Sequence, residues 1–115
     1  MNNQKFADAT IRRCIITVPE RQGMVADRIE QYAVSEGMEV VETIMGARAI
    51  DRMLYYIKKN SIQTVLVRQA IDITTDEKML KKLMRIAADH DVSINAEERN
   101  YCPIIATNWD GGCGC

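Results

Sequence analysis

The residues best equipped for chemistry in this chain of 115 residues sit towards its C-terminus. Cys113-Gly114-Cys115 together with Cys102 would supply three thiolates, and His90 a fourth ligand, a donor set that suits zinc. The spacing differs from the repeated Cys-x-x-Cys of a knuckle or ribbon, so unpaired thiols and a disulfide stay open as readings of the same residues. Cys14 is different, because it lies inside an apolar run and reads as a small core residue. His90, between Asp89 and Asp91 at the end of a helical pattern, reads as a cation compensating the helix dipole. A catalytic base would need a nucleophile beside it, and no serine or cysteine is placed by sequence to meet it.

Arg12-Arg13, Arg48, Arg52, Lys58-Lys59 and Lys81-Lys82 are scattered and read as solvated faces, with a phosphate-binding patch as the alternative, for which Arg12, Arg13, Arg48 and Arg52 are the candidate side chains. Met53, Tyr55 and Tyr56, with Trp109 in the tail, are the candidates for a contact surface and equally read as the edge of the core. No Gly-x-Gly-x-x-Gly or P-loop phrase follows an apolar run, so no nucleotide or other cofactor is expected. Asp8, Asp51 and Asp72 do not form an acidic cluster of the receiver kind.

The elements that must position these groups alternate regularly. Ile11 to Val18 is β-branched and apolar, the composition of a strand covered on both faces, and Pro19 ends it. Pro19 and Glu20 suit the first turn of a helix that runs to Glu36, with Val25, Ile29, Tyr32 and Ala33 as its apolar stripe and Gly37 as its stop. Met38 to Met45 is a second strand. Ile50, Met53, Leu54 and Ile57 follow the i, i+3, i+4, i+7 pattern of a second helix.

Ile62 to Val67 is the central strand, and Thr74 with Glu77 fits a capping box for the helix bearing Leu80, Leu83, Met84 and Ala87. Val92 to Ala96 is a fourth strand, and Tyr101 to Thr107 would add an edge strand. The order β-α-β-α-β-α-β implies an α/β fold: a single three-layer domain with a mostly parallel sheet of four or five strands. The stretch from Ile62 to Glu77 is then the first place to look for a site, since open α/β sheets bind at the carboxyl ends of their strands. The domain spans residues 1–100, with an edge strand and a Gly/Cys tail over 101–115.

Composition narrows the function. Fifteen basic and sixteen acidic side chains give a net charge of −1, and a domain that held duplex DNA unaided would normally be basic. No apolar run approaches the ~18 residues needed to span a bilayer, and no signal peptide is visible, so a cytoplasmic protein with no membrane contact and reduced thiols is expected. Aromatic residues make up only 5% and methionines number seven, which makes the core aliphatic and adaptable.

Several local phrases resemble the N-terminal catalytic domain of the serine recombinases, the resolvases and invertases. They are Arg28-Ile29-Glu30-Gln31-Tyr32-Ala33 with Gly37 and Val40-Val41, then Met53-Leu54-Tyr55-Tyr56-Ile57-Lys58, then Ile62 to Val67, and the helix and strand from Met79 to Ile94. The resemblance covers roughly residues 11 to 98 and implies a resolvase-like fold. The family's chemistry uses a serine after the first strand to attack a DNA phosphodiester, with arginines offsetting charge on the phosphate. At the matching positions this chain has Thr17 for an arginine and Pro19 for the serine, and the loop from Pro19 to Tyr32 is several residues shorter.

The second family signature, Asp-Arg-Leu-Ser-Arg, falls on Ile71-Asp72-Ile73-Thr74-Thr75, and both arginines are replaced. Gly46-Ala47-Arg48 leaves Arg48 as the one plausible survivor of the third. Where the family continues into a long dimerising helix and a helix-turn-helix, this chain has Pro103 and a glycine-rich tail.

The expectation is therefore a non-catalytic resolvase-like module acting through contact with a protein partner or a second copy of itself, as in a homodimer, in the setting of a mobile element or phage, with nucleic acid bound weakly if at all. The alternatives are a thiol- or metal-dependent protein using the C-terminal cysteines and a DNA-binding accessory protein of recombination.

Overall fold

The computed structural model describes residues 11–46 and 49–104. Five strands and three α-helices follow in the order β1 (Arg13–Val18), α1 (Gly23–Ser35), β2 (Glu39–Met45), α2 (Ala49–Lys58), β3 (Thr64–Val67), α3 (Glu77–Asp89), β4 (Ser93–Ala96) and β5 (Pro103–Ile104). Short 3₁₀ turns occupy Ala70–Asp72 and Glu97–Arg99. The strands line up as β2-β1-β3-β4-β5, parallel except for β5, which pairs antiparallel with β4. This is the expected three-layer α/β architecture, with Pro103–Ile104 supplying the edge strand.

Alternation along the strands sorts the core into two layers. Cys14, Ile16 and Val18 of β1 and Leu66 of β3 point to α1, where they pack against Val25, Ala26, Ile29 and Ala33. Ile15, Val65, Val67, Ile94 and Ala96 point the other way, against Met53 and Ile57 of α2 and Leu80, Leu83, Met84 and Ala87 of α3. Both faces of β1 and β3 are thus dry, which is why their sequences are continuous apolar runs. Between Cys14 and Ile15 the pairing with β2 slips by one residue, so Val41 bulges from the edge strand and is 40% exposed.

Two helix starts differ from the sequence reading. Helix α1 begins at Gly23, not at Glu20, because Arg21 adopts φ 65, a left-handed conformation that cannot continue a helix from Pro19. Helix α3 is capped by Asp76 in place of Thr74: the Asp76 carboxylate accepts from the amides of Lys78 and Met79 at 3.0 and 3.3 Å. Thr74 Oγ1 instead accepts from the Asp76 amide at 3.1 Å, shaping the turn that leads into the helix. Gly37, at φ 77, does end α1 as its composition implies.

Candidate functional site at the switch point of the sheet

The connection through α1 carries the chain to one side of β1, and the connection through α2 carries it back past β1 to the other side. The strand order therefore reverses between β1 and β3, and their C-terminal ends, Val18 and Val67, flank the crevice where an open α/β sheet places its ligand. Three segments leave the sheet there: Pro19 to Gln22, Arg68 to Ile73, and Glu97 to Tyr101.

Arg68 follows β3 immediately, and the 3₁₀ turn at Ala70–Asp72 brings Asp72 back onto it. The pair is bidentate, Nε donating to Oδ2 at 2.9 Å and Nη2 to Oδ1 at 3.0 Å, and the Gln69 amide adds a third donor at 3.2 Å. The Asp72 side chain is 7% exposed and that of Arg68 33%. The hydrogen bond to Asp72 raises the Arg68 pKa, burial opposes this, and the neighbouring Arg28 lowers it by repulsion.

Arg28 reaches this end of the sheet from α1. Its Nη2 donates to Glu97 Oε1 at 2.6 Å, and its Nε donates to the second Glu97 oxygen. Tyr101 lies beside this pair, and its ring stacks on Tyr32 of α1 with centroids 3.6 Å apart and planes 4° from parallel. Asn100 and Tyr101 both have positive φ, 54 and 63, so the turn that presents the phenol is held in a left-handed conformation. Burial, reinforced by the Glu97 charge, pushes the Tyr101 phenol up to about 12, so it stays protonated at neutral pH.

Glu97 lies below the usual carboxylate range because of its hydrogen bond to Arg28, partly offset by burial. A carboxylate with a lowered folded-state pKa adds stability above its unfolded-state pKa, and that stability is lost as pH falls through the folded-state value. The melting-temperature difference between the wild type and Glu97→Gln is accordingly expected to be largest near neutral pH and to shrink steadily in acid. Thermal scans between about pH 7 and pH 3 check this.

The chemistry available here is limited. The segments leaving β1, β3 and β4 hold no serine, and Cys102 follows the last of them in a disulfide bond, which leaves it without a nucleophilic thiolate. Thr17 is 2% exposed, and Thr74 Oγ1 is engaged at the foot of α3. Arg68 and Arg28 have the fork geometry that grips a phosphate, yet each fork is filled by a carboxylate of the same chain.

The side chains singled out from sequence do not converge on this crevice. Arg12 and Arg13 lie at the opposite end of the sheet, with Arg13 Nε on Glu39 at 3.1 Å. Arg12 lines a cleft of about 470 Å³ there with Gln63, Arg85, Asp91 and Ser93. Arg52, on the outer side of α2, donates to Glu42 at 2.5 Å, and Tyr56 donates to the same carboxylate. Arg13 and Arg52 are each anchored to a carboxylate of β2, Arg12 lines the cleft, and the three do not form a common phosphate site.

Met53 is not an interface residue, since it is fully buried beneath α2, as its place in the apolar stripe requires. Tyr55 is 49% exposed, and Tyr56 is half-buried. Arg48, Trp109, Cys113 and Cys115 lie outside the described residues.

The thiol expectations also change. Cys102 is disulfide-bonded, one of the readings left open above, where reduced thiols were expected. Cys14 is free and buried, and burial raises its thiol pKa to about 11. Among the described residues no group of three or more His, Cys, Asp or Glu side chains is placed to hold a metal ion. His90 does cap α3, and its Nδ1 also lies 3.1 Å from Asn60 Oδ1, tying the ends of α3 and α2 together.

Comparison with solved structures places this arrangement. The chain is similar to the N-terminal catalytic domain of TP901-1 integrase, with a TM-score of 0.66 over 76% of this chain and 78% of that one, at 18% sequence identity. The fold is resolvase-like. No protein-family model matches the chain, and no curated protein matches it. No helix among the described residues is long and apolar enough to cross a membrane.

Arg28, Arg68, Glu97 and Tyr101 are the site residues that sequence reading missed. Arg68 had a local signal, an arginine directly after the central strand with an aspartate four residues on. The family signature drew attention to positions 71–75 and away from it. The Arg28 to Glu97 pair, sixty-nine residues apart, had none.

Proposed function

We propose that this resolvase-like domain acts in a recombination-related setting by non-covalent contact with a protein partner, as an accessory or regulatory factor, and does not cleave DNA. The observation that carries the reading is the occupied switch point: where a phosphate would have to enter, Asp72 fills the fork of Arg68 and Glu97 fills that of Arg28. A phosphate would have to displace tethered carboxylates, one of them nearly buried, and would meet their negative charge on the way in.

The three loops hold no serine, threonine or free thiol, and their one hydroxyl, the half-buried Tyr101 phenol, is held protonated with its pKa pushed up to about 12, which makes it a poor attacking group. What the fold retains is its scaffold and its outer helix faces, which suit contact.

The test is incubation with labelled duplex oligonucleotides carrying a recombination site, followed by denaturing electrophoresis. The expected result is no protein-linked label at any time point. A covalent adduct that disappears on denaturing the protein beforehand would overturn the reading.

A further inference from the structure

The two helix layers carry different surfaces. Turned away from the core, α2 presents Arg52, Tyr55 and Lys58, with Lys59 directly after it, and α3 presents Lys78, Lys82 and Arg85 with Lys81 half-buried at the edge of the row. The α3 cations fall at i, i+3, i+4 and i+7, directly opposite the buried stripe of Leu80, Leu83, Met84 and Ala87. Helices α2 and α3 hold six cations and three carboxylates, Asp51, Glu77 and Asp89, a net charge of +3 within a chain of net charge −1, and Lys59 adds a seventh cation just past the end of α2. No salt bridge among the described residues involves Lys58 or any of the α3 cations.

Tyr55 stands on the outward side of α2, braced by Lys59 Nζ, which lies 4.8 Å from its ring centroid and donates to its hydroxyl at 3.0 Å, and by Arg52 at 5.7 Å.

The other layer, α1, is its counterpart. Its outward side carries Asp27, Glu30 and Gln31, and the single α1 arginine, Arg28, is already neutralised by Glu97. It also carries the two most exposed large apolar side chains among the described residues, Met24 at 86% and Val34 at 65%. An acidic surface with apolar anchors is what a basic surface carrying an exposed tyrosine fits, and this chain holds both on opposite sides of one sheet.

We propose that the α2–α3 face of one copy docks on the α1 face of a second copy, so that copies stack front to back. Such contacts are heterologous and do not close on themselves, so association continues with concentration and does not stop at a symmetric dimer. A second copy is favoured over a nucleic acid because the chain as a whole repels a polyanion. Asp51 and Asp89 also stand within the basic face, and a phosphate backbone has no use for Met24 and Val34. The proposal deepens the contact reading above and rests on it. A covalent DNA adduct would overturn that reading, and a strictly monomeric protein would overturn this one alone.

Sedimentation equilibrium on the full chain tests it. The weight-average mass is expected to rise between about 10 and about 500 µM protein at low salt, and to return to the monomer value at about 0.5 M salt, where screening acts within a few ångströms. Two variants at exposed positions each remove one face: Tyr55→Ala with Lys82→Glu, and Met24→Lys with Val34→Lys. Each alone is expected to be monomeric with a wild-type circular dichroism spectrum, and an equimolar mixture is expected to reach the mass of a dimer and go no further.

Monomeric wild type across the whole range at low salt would overturn the proposal. So would association of either variant alone to the wild-type extent, or a monomeric mixture of the two variants beside an associating wild type.

Discussion

Met53→Ala is expected to lower the free energy of unfolding by about 3 kcal/mol, near the middle of the range for emptying a fully buried methionine site. The side chain is wholly inaccessible and sits in the layer that joins α2 to Val65, Val67 and the α3 stripe. Tyr55→Ala, two positions along the same helix, is expected to leave the denaturation midpoint unchanged, because that side chain looks outward. Urea titrations of the two variants followed by circular dichroism make the comparison. Equal losses would mean that the outward side of α2 is packed and would remove the surface on which front-to-back stacking depends.

That contrast measures what was legible in the sequence. The stripe Ile50, Met53, Leu54 and Ile57 already assigned Met53 to the core, and an aromatic-rich contact surface drawn to include it went against that periodicity. Strand order, layer number and the α3 stripe followed from patterns with periods of two and 3.6, because the burial that fixes them is repeated many times along each element.

Single side chains that close a turn carry no such redundancy. Asp76 took the capping role from Thr74 because both are good caps two residues apart, and only the backbone path decides between them. The left-handed Arg21 that delays α1 has no marker in its own residue type. The Arg28 and Glu97 pair joins the first helix to the loop after the fourth strand, a contact that exists only once the sheet is assembled.

The occupied crevice offers the second large effect. Removing Arg68 leaves the nearly buried Asp72 carboxylate with the Gln69 amide as its remaining described side-chain donor, whereas removing the Asp72 charge leaves a guanidinium that is one-third exposed and able to turn to water. The expected order is therefore asymmetric. Arg68→Ala should cost about 1.5 kcal/mol, less than the loss of a fully buried pair because water reaches the arginine. Asp72→Asn should cost about half as much.

In the double variant Arg68→Ala with Asp72→Asn the stranded charge is gone, and its stability should lie close to that of Asp72→Asn alone. Chemical denaturation of the four proteins completes the cycle. Additive losses would mean that the two side chains act independently, and Asp72 would then not be the group that holds the Arg68 fork closed. A crevice whose arginine is locked by its own chain should show strong coupling, and the same coupling energy is what any incoming anion would have to exceed.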